Sequence, residues 1–554
     1  MSGKRVARPA RRSYGGLGSA SAVMAVGTLF SRLSGFVRAA LLAAAIGSVG
    51  RADVFNVANT IPNMLYILLA GGVFNAVLVP QLVRAIKQDD DGGEAYTQRI
   101  VTLAAVFLGA VTVVLVAVAP VLIHLYFRGH TDAATASAIA FARYCLPQVF
   151  FYGMFVLVGQ VLNARGSFGP MMWAPIANNV VSVAVLVTFI LQFGTAGSGD
   201  YTHAEEQLLG LGSTAGIALQ FLILLPFLRA AGFHFRPRFD FRNSGLGHTL
   251  GLGIWTVLFV IVNQIAYFVI TGLATAGTGE HGAKHHGTGY TIYSNAFLLT
   301  QVPHSIITVS LATAILPTLS ARVVALDPRG FAYGVARTLR SSIAIVLPFA
   351  ALLPVLSVDL GHVLFGFGAS AGEFRKYGPT IAIFGPGLFF FTVQYVLLRG
   401  FYALERNKTV FWMQCLVAGV NIGAAVLLVK NVSPAHTAPA LAAAWGLAYF
   451  VGSINAYTRL DRRIGPLRTD LLVRFLIRML LVTAVATTIA WLVARGFEHV
   501  LPEREGSAGW LVAAAKSTVV GGLDLGLIFV GARLLRITEL TGFLHTLAAR
   551  LGRR

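Results

Sequence analysis

The chain has 554 residues, with 43 Lys plus Arg against 22 Asp plus Glu, a formal charge of +21, and only 12% charged residues. Hydrophobic types supply 56% of it and the mean hydropathy is +0.73, whereas soluble domains carry about 25% charged and about 45–50% apolar residues. These values exclude an ordinary soluble enzyme and point to an all-α polytopic membrane protein.

The first fifteen residues are basic and run into an apolar stretch much longer than the roughly 7–15-residue core of a signal peptide, so they read as a tail before a retained first span. Apolar stretches then predict fourteen helices, at about 19–47, 53–85, 99–127, 136–163, 170–193, 206–229, 246–275, 288–320, 335–358, 378–403, 409–430, 435–458, 470–494 and 507–533. Each is near or above the roughly 20 residues needed to cross about 30 Å of hydrocarbon. Spans two and eight contain Pro62, Pro80, Pro303 and Pro317. Proline removes a backbone donor, and irregular backbone at membrane depth survives where it lines protein or water, which marks these spans as candidates for a transport pathway. The segment Phe74–Leu82 resembles Leu311–Leu319, six spans later. A six-helix repeat in unchanged orientation predicts two pseudo-symmetric lobes related by an axis along the membrane normal. The organisation expected is a basic tail at 1–15, a first lobe at 16–230, a second at 231–460, an added helix pair at 461–537 and a basic tail at 538–554.

Charge sets the orientation. An even span count puts both termini on one side, and the connections on that side hold about 29 Lys and Arg against 8 on the other. By the positive-inside rule both termini are cytoplasmic. The +21 charge follows from topology and from attraction to anionic lipid head groups, with no need for nucleic acid.

Some charges remain within the spans: Arg32, Arg38, Arg143, Arg474, Arg478 and Lys516, with Asp53 and Asp524. An ion at a helix centre costs about 2.5–3.5 kcal/mol on insertion scales, so each is expected in a cavity, in a pair or snorkelling to an interface. Arg143, Arg474 and Arg478 lie near span ends, where snorkelling suffices. Arg32 and Arg38 bracket Ser34 and Gly35, with Ser31 just before, forming a polar strip in an apolar helix. Six residues apart, they point about 120° from each other on an ideal helix, and a bend at Gly35 would let both face one cavity. Two guanidiniums suit an anion such as a diphosphate; the alternative is that they snorkel or pair with Asp53 or another acid. Lys516 and Asp524 are too far apart to pair along one helix, so each needs a neighbour.

No reaction chemistry is visible. Cys145 and Cys415 stand far apart without metal-ligand spacing, the Glu280–His286 stretch reads as a solvated loop, and no phosphate-binding loop, nucleophile elbow or metalloprotease helix occurs. No cofactor is expected.

Four blocks carry a family resemblance. Thr28–Arg38 is similar to a Ser-Arg-x-x-Gly-Phe-x-Arg first helix; Ala52–Phe55, Ile61–Asn63, Gly72–Phe74 and Val79–Pro80 resemble the second. Val161–Phe168 with Ala174–Pro175 and Asn179 resembles a fourth-to-fifth helix turn, and Arg399–Leu404 a tenth-helix ending. They resemble the MviN/MurJ lipid II flippases of the multidrug/oligosaccharidyl-lipid/polysaccharide exporter superfamily. The resemblance implies a transporter of the bacterial cytoplasmic membrane that carries an undecaprenyl-diphosphate-linked peptidoglycan precursor to the outer leaflet by alternating access. It implies a substrate-binding set of Ser31, Arg32, Arg38, Asp53 and Asn63, with Arg143, Asn179 and Lys516 as further cavity candidates, and a lipid-tail groove on the last two helices. The partners expected are the lipid-linked diphosphate sugar, membrane lipids and cell-wall synthesis proteins, with the membrane potential or an ion gradient as driving force. The chain departs from the pattern at Tyr66 and Leu298, where the family places arginine. Two rival readings stay open: an exporter of another lipid-linked glycan, and a non-transporting scaffold of the cell-wall machinery.

Overall fold

The computed structural model describes residues 15–68, 82, 85, 91, 93–195, 199–240, 246–500 and 506–540, leaving aside the side chains of 15–26, 28–29, 246–253 and 506–507. Residues 1–14 and 541–554 of the tails, residues 74–81 of the repeated segment with Pro80, and Arg84, Lys87 and Arg242 lie outside this set.

Regular structure among the described residues is wholly helical. The order is α1 Gly15–Ile46, α2 Arg51–Ile67, α3 Glu94–Ala117 with a continuation at Ala119–Tyr126, α4 Asp132–Ala164, α5 Gly169–Phe193, α6 His203–Ala230 and α7 Leu246–Ala276. Then come α8 Tyr290–Val324, α9 Pro328–Phe365, α10 Tyr377–Ala403, α11 Asn407–Lys430, α12 Thr437–Ile464, α13 Thr469–Val500 and α14 Gly506–Leu534. Twelve of these, α3 to α14, are long and apolar enough to cross a membrane.

Local chemistry sets the boundaries. Thr131 caps α4 by accepting the Ala134 N–H, Asp327 caps α9 by accepting that of Gly330, and Thr202 with Glu205 forms a reciprocal capping box on α6. The turn between α1 and α2 uses Gly47 at φ 86° and Gly50 at φ 56°, conformations that disfavour any side chain. Because α9 begins at Pro328, the basic residues Arg337 and Arg340 belong to a helix rather than a loop; Arg340 reaches Glu539 at 2.9 Å. The helices thus outrun their apolar cores, and their charged ends project past them.

α1 to α6 pack mainly among themselves, α1 along α5, α2 along α4 and α5 along α6. α7 to α12 form the second lobe, built around α10, which packs against α9, α12 and α8. Gly387 of α10 lets Trp445 of α12 approach so closely that a Cβ would meet its ring at 2.8 Å, the close helix approach typical of membrane bundles. α13 and α14 pack on each other and on α9. The proline-broken span eight is observed: α8 runs helically to Pro303, widens into a π-helical turn at His304–Thr308 and resumes at Val309.

Candidate functional site: the interface between the lobes

At the end of the bundle that carries the α1–α2, α7–α8 and α9–α10 connections, the lobes are tied by a polar seam. Asp53, on the first turn of α2, is 1% exposed. Its Oδ2 accepts the Thr278 hydroxyl at 2.6 Å and its Oδ1 the Thr291 backbone N–H at 2.6 Å. A first-lobe carboxylate therefore sits on the N-terminal turn of second-lobe helix α8, where the free N–H groups and the helix dipole favour negative charge. Gly289 makes room for it, because a Cβ there would lie 1.9 Å from Asp53 Oδ2. Each such bond is worth about 1 kcal/mol net, and an unmade one strands a buried group at about 1–3 kcal/mol, so the latch favours closure.

Around the latch the seam continues. The Ser48 N–H donates to Glu373 Oε2 at 2.7 Å, the Tyr377 hydroxyl donates to Ser48 Oγ at 2.8 Å, and the Ser48 and Ser370 hydroxyls bond to each other. Deeper in, Asn56 Nδ2 donates to Thr291 Oγ1 at 3.0 Å and the Thr60 and Tyr290 hydroxyls meet at 2.7 Å. Beside it, Arg51 is buried against Glu205 at 2.7 Å and stacks on Tyr201.

The expected site residues divide into three groups. Ser31 and Asn179 come together: Asn179 Nδ2 on α5 donates to the Ser31 carbonyl at 3.0 Å and to Ser34 Oγ at 2.8 Å, which fixes α1 against α5. In the same strip Arg32 is exposed and Arg38 half-buried. Among the described residues neither has a carboxylate within ion-pair distance; Arg38 lies in electrostatic reach of Tyr152, whose ring packs 4.6 Å from that of Tyr66. Asn63 is half-buried on α2, on the helix that carries the latch.

Asp53 stands apart from the arginines, since both of its oxygens are taken by the second lobe. The pairing of Arg32 or Arg38 with Asp53 is not formed. Arg143 is exposed on α4, and so are Arg474 and Arg478 on α13, as suits snorkelling side chains. Lys516 is held by Asp359 of α9 at 3.0 Å and Glu498 of α13 at 2.9 Å, far from α1. Asp524 is fully buried and accepts the Thr487 hydroxyl at 3.2 Å. Both thus have neighbours on other helices, and Lys516 with Asp359 and Glu498 lines a small cavity between α9, α13 and α14. Leu298 is exposed on α8.

Sequence reasoning missed the seam partners Ser48, Thr278, Thr291, Ser370 and Tyr377. Thr278 and Tyr377 lie 225 and 329 positions from their partners Asp53 and Ser48, and Ser, Thr and Tyr in apolar helices look alike wherever they point. The one local signal was Gly289 directly before Tyr290 and Thr291. No group of three or more His, Cys, Asp or Glu able to hold a metal occurs among the described residues.

Two groups of apolar helices tied at one end by this seam define a polytopic membrane protein. The MATE family transporter of the MOP superfamily solved in an inward-facing conformation shares the fold at TM-score 0.60 and 15% identity, over 79% of this chain and 95% of its own. A structure described as lipid II flippase MurJ in the inward closed conformation matches at TM-score 0.71 and 16% identity, over 92% of this chain and 99% of its own. The family model described as lipid II flippase MurJ matches residues 42–502, so the chain belongs to the MurJ family. Among curated relatives, the probable lipid II flippase MurJ of Rhizobium tropici is 26% identical over 519 residues, 90% of this chain and 94% of its own. The lipid II flippase MurJ of Burkholderia cenocepacia is 28% identical over 415 residues, 73% of this chain and 75% of its own.

Proposed function

We propose that this protein is a lipid II flippase that carries the undecaprenyl-diphosphate-linked precursor from the inner to the outer leaflet of the bacterial cytoplasmic membrane, with both termini in the cytoplasm. The observation that carries the reading is the contrast along α1. Its outer end meets the second lobe at a closed seam, while Arg32 and Arg38 stand without carboxylates among the described residues, in a chain of the MurJ family. Unpaired guanidiniums at membrane depth are costly unless an anion joins them, and a diphosphate offers matched, charge-assisted hydrogen bonds. The lobes rock about this site, so that the seam opens as the opposite end closes.

Orientation rests on the excess of Lys and Arg at the end that holds the termini. The inside-negative potential favours outward movement of the diphosphate by about 2.3 kcal/mol per charge per 100 mV, which supports the membrane potential as driving force. The apolar residues Val473, Ile477, Leu480, Leu481 and Val485 exposed on α13 support a surface for the polyprenyl chain beside α14.

The test is the outer-leaflet exposure of labelled lipid II in cells depleted of the protein and complemented with variants. Wild type restores exposure, whereas Arg32→Ala and Arg38→Ala, inserted at wild-type levels, each lose most of it. Full exposure with the double variant overturns the role of the strip, and unchanged exposure on depletion, in a host without a second flippase, overturns the function.

A further inference from the structure

The middle of the α13–α14 pair holds a carboxyl that no cation offsets among the described residues. In the stretches that pack together there, 341–358 of α9, 479–494 of α13 and 517–532 of α14, Asp524 is the single titratable residue. It is fully buried in close packing: a Cβ on Gly531 would meet Val482 of α13 at 2.8 Å, and one on Gly521 would touch Leu352 of α9 at 3.8 Å. Asp524 Oδ1 accepts the Thr487 hydroxyl of α13 at 3.2 Å, and its Oδ2 has no hydrogen-bond partner. One turn from Thr487 on α13, the buried Thr483 hydroxyl has none either.

The nearest charged groups on these helices are engaged elsewhere or point outward. Lys516, two turns before Asp524, is held by Asp359 and Glu498, and Arg533, beyond it on α14, lies over the Phe529 ring at 4.4 Å. Arg340 of α9 has Glu539, while Arg478 and Arg495 of α13 are exposed. Other buried carboxylates are compensated: Asp53 accepts two donors at the start of α8, and Glu205 has Arg51. Asp524 has one hydroxyl for two oxygens. An uncompensated ion at membrane depth is costly, whereas the neutral acid leaves at most one hydroxyl bare, which is a smaller penalty.

We infer that Asp524 is a proton-binding site inside the membrane: it carries a proton while α13 and α14 are packed together, and releases it when water reaches the interface between them. On release the O–H bond breaks, its electron pair stays on the carboxylate and the proton passes to water. A group that is neutral when packed and charged when wetted makes the seating of this helix pair depend on protons. The inference rests on the packing of α9, α13 and α14 and stands apart from the flippase reading.

The experiment is infrared difference spectroscopy, wild type minus Asp524→Asn, on the full-length protein in phosphatidylcholine nanodiscs at neutral pH, in sodium chloride and in choline chloride. In both salts the expected signal is the carbonyl band of a protonated carboxylic acid, slow to shift in D2O and absent from the variant. Carboxylate bands in its place overturn the inference, and if sodium alone brings them out they assign Asp524 to a bound cation instead. Thr487→Val keeps the carboxyl and removes its donor, so it should move the acid band to higher frequency; it also serves where Asp524→Asn fails to insert. A band that this variant leaves unmoved belongs to another residue and contradicts the assignment. Gly531→Ala, whose methyl would press on Val482, loosens the pair and should speed the shift in D2O. An unchanged shift in that variant overturns release on wetting.

Discussion

The seam between the lobes and the middle of α1 are built with opposite chemistry. At the closed end, Asp53, Ser48, Thr278, Thr291 and Ser370 satisfy one another across the interface, and no external group is needed. Further along α1, Arg32 and Arg38 have no acidic partner among the described residues. The difference is the one that the proposed flippase function requires between a gate and an anion site. A gate must bond to itself in one state and release in the other, so it is built from short, strong but individually modest hydrogen bonds. A site for an anion must leave its cations uncompensated by the protein.

The comparison breaks most sharply at the latch. Asp53→Ala strands the Thr291 N–H, at about 1–3 kcal/mol for a buried group, and leaves the Thr278 hydroxyl only the Thr275 carbonyl at 3.2 Å. Labelling of a cysteine placed at Thr60 should rise by about tenfold or more as the closed state loses population. Gly289→Ala reaches the same end without touching charge, since its methyl would occupy the Asp53 carboxylate position; equal labelling in this variant and wild type would refute the latch.

A smaller effect is expected where α1 is fixed to its own lobe. Asn179→Leu removes two hydrogen bonds to Ser31 and Ser34, worth about 1 kcal/mol each. It should lower the thermal midpoint by a few degrees and reduce flipping by loosening the arginine strip, while cysteine labelling at the closed end stays as in wild type. A rise in labelling there would merge two regions that are described here as separate.

The smallest effect concerns pH. His130 lies in the α3–α4 connection, in a cavity of about 200 Å³ shared with Arg51, Asp200, Thr278 and Glu280 of the two lobes. Burial pushes its imidazole below its ordinary value, against a weaker opposing pull from the backbone and Glu280. The closed seam therefore favours neutral His130, and its stability is lost as pH falls through and below the ordinary histidine range of about 6.5. Labelling at Thr60 should increase modestly between pH 7.5 and pH 5.5, and His130→Gln should flatten the profile; a fall in labelling on acidification would reverse the sign.

Much of this was legible in the sequence, and the limits have physical causes. Helix number and order followed from apolar length, and Pro303 marked the break in α8, because both depend on local chain properties. Arg32 and Arg38 were legible because charge in an apolar helix is costly wherever it sits. The partners were not. Asp53 looked equally suited to an arginine or to a cavity, and only the folded chain shows its oxygens filled by Thr278 and Thr291. Lys516 needed a neighbour that its own helix could not supply, and Asp359 and Glu498 converge on it from two other helices.

The most direct test locks the seam. Ser48 and Ser370 touch through their hydroxyls across the lobes, so Ser48→Cys with Ser370→Cys, in a Cys415→Ser background, places two thiols where a disulfide can form. Alternating access requires that the oxidised protein bind farnesyl diphosphate yet expose no lipid II at the outer leaflet, and that reduction restore the activity. Full exposure of lipid II with the disulfide quantitatively formed would contradict alternating access through this seam.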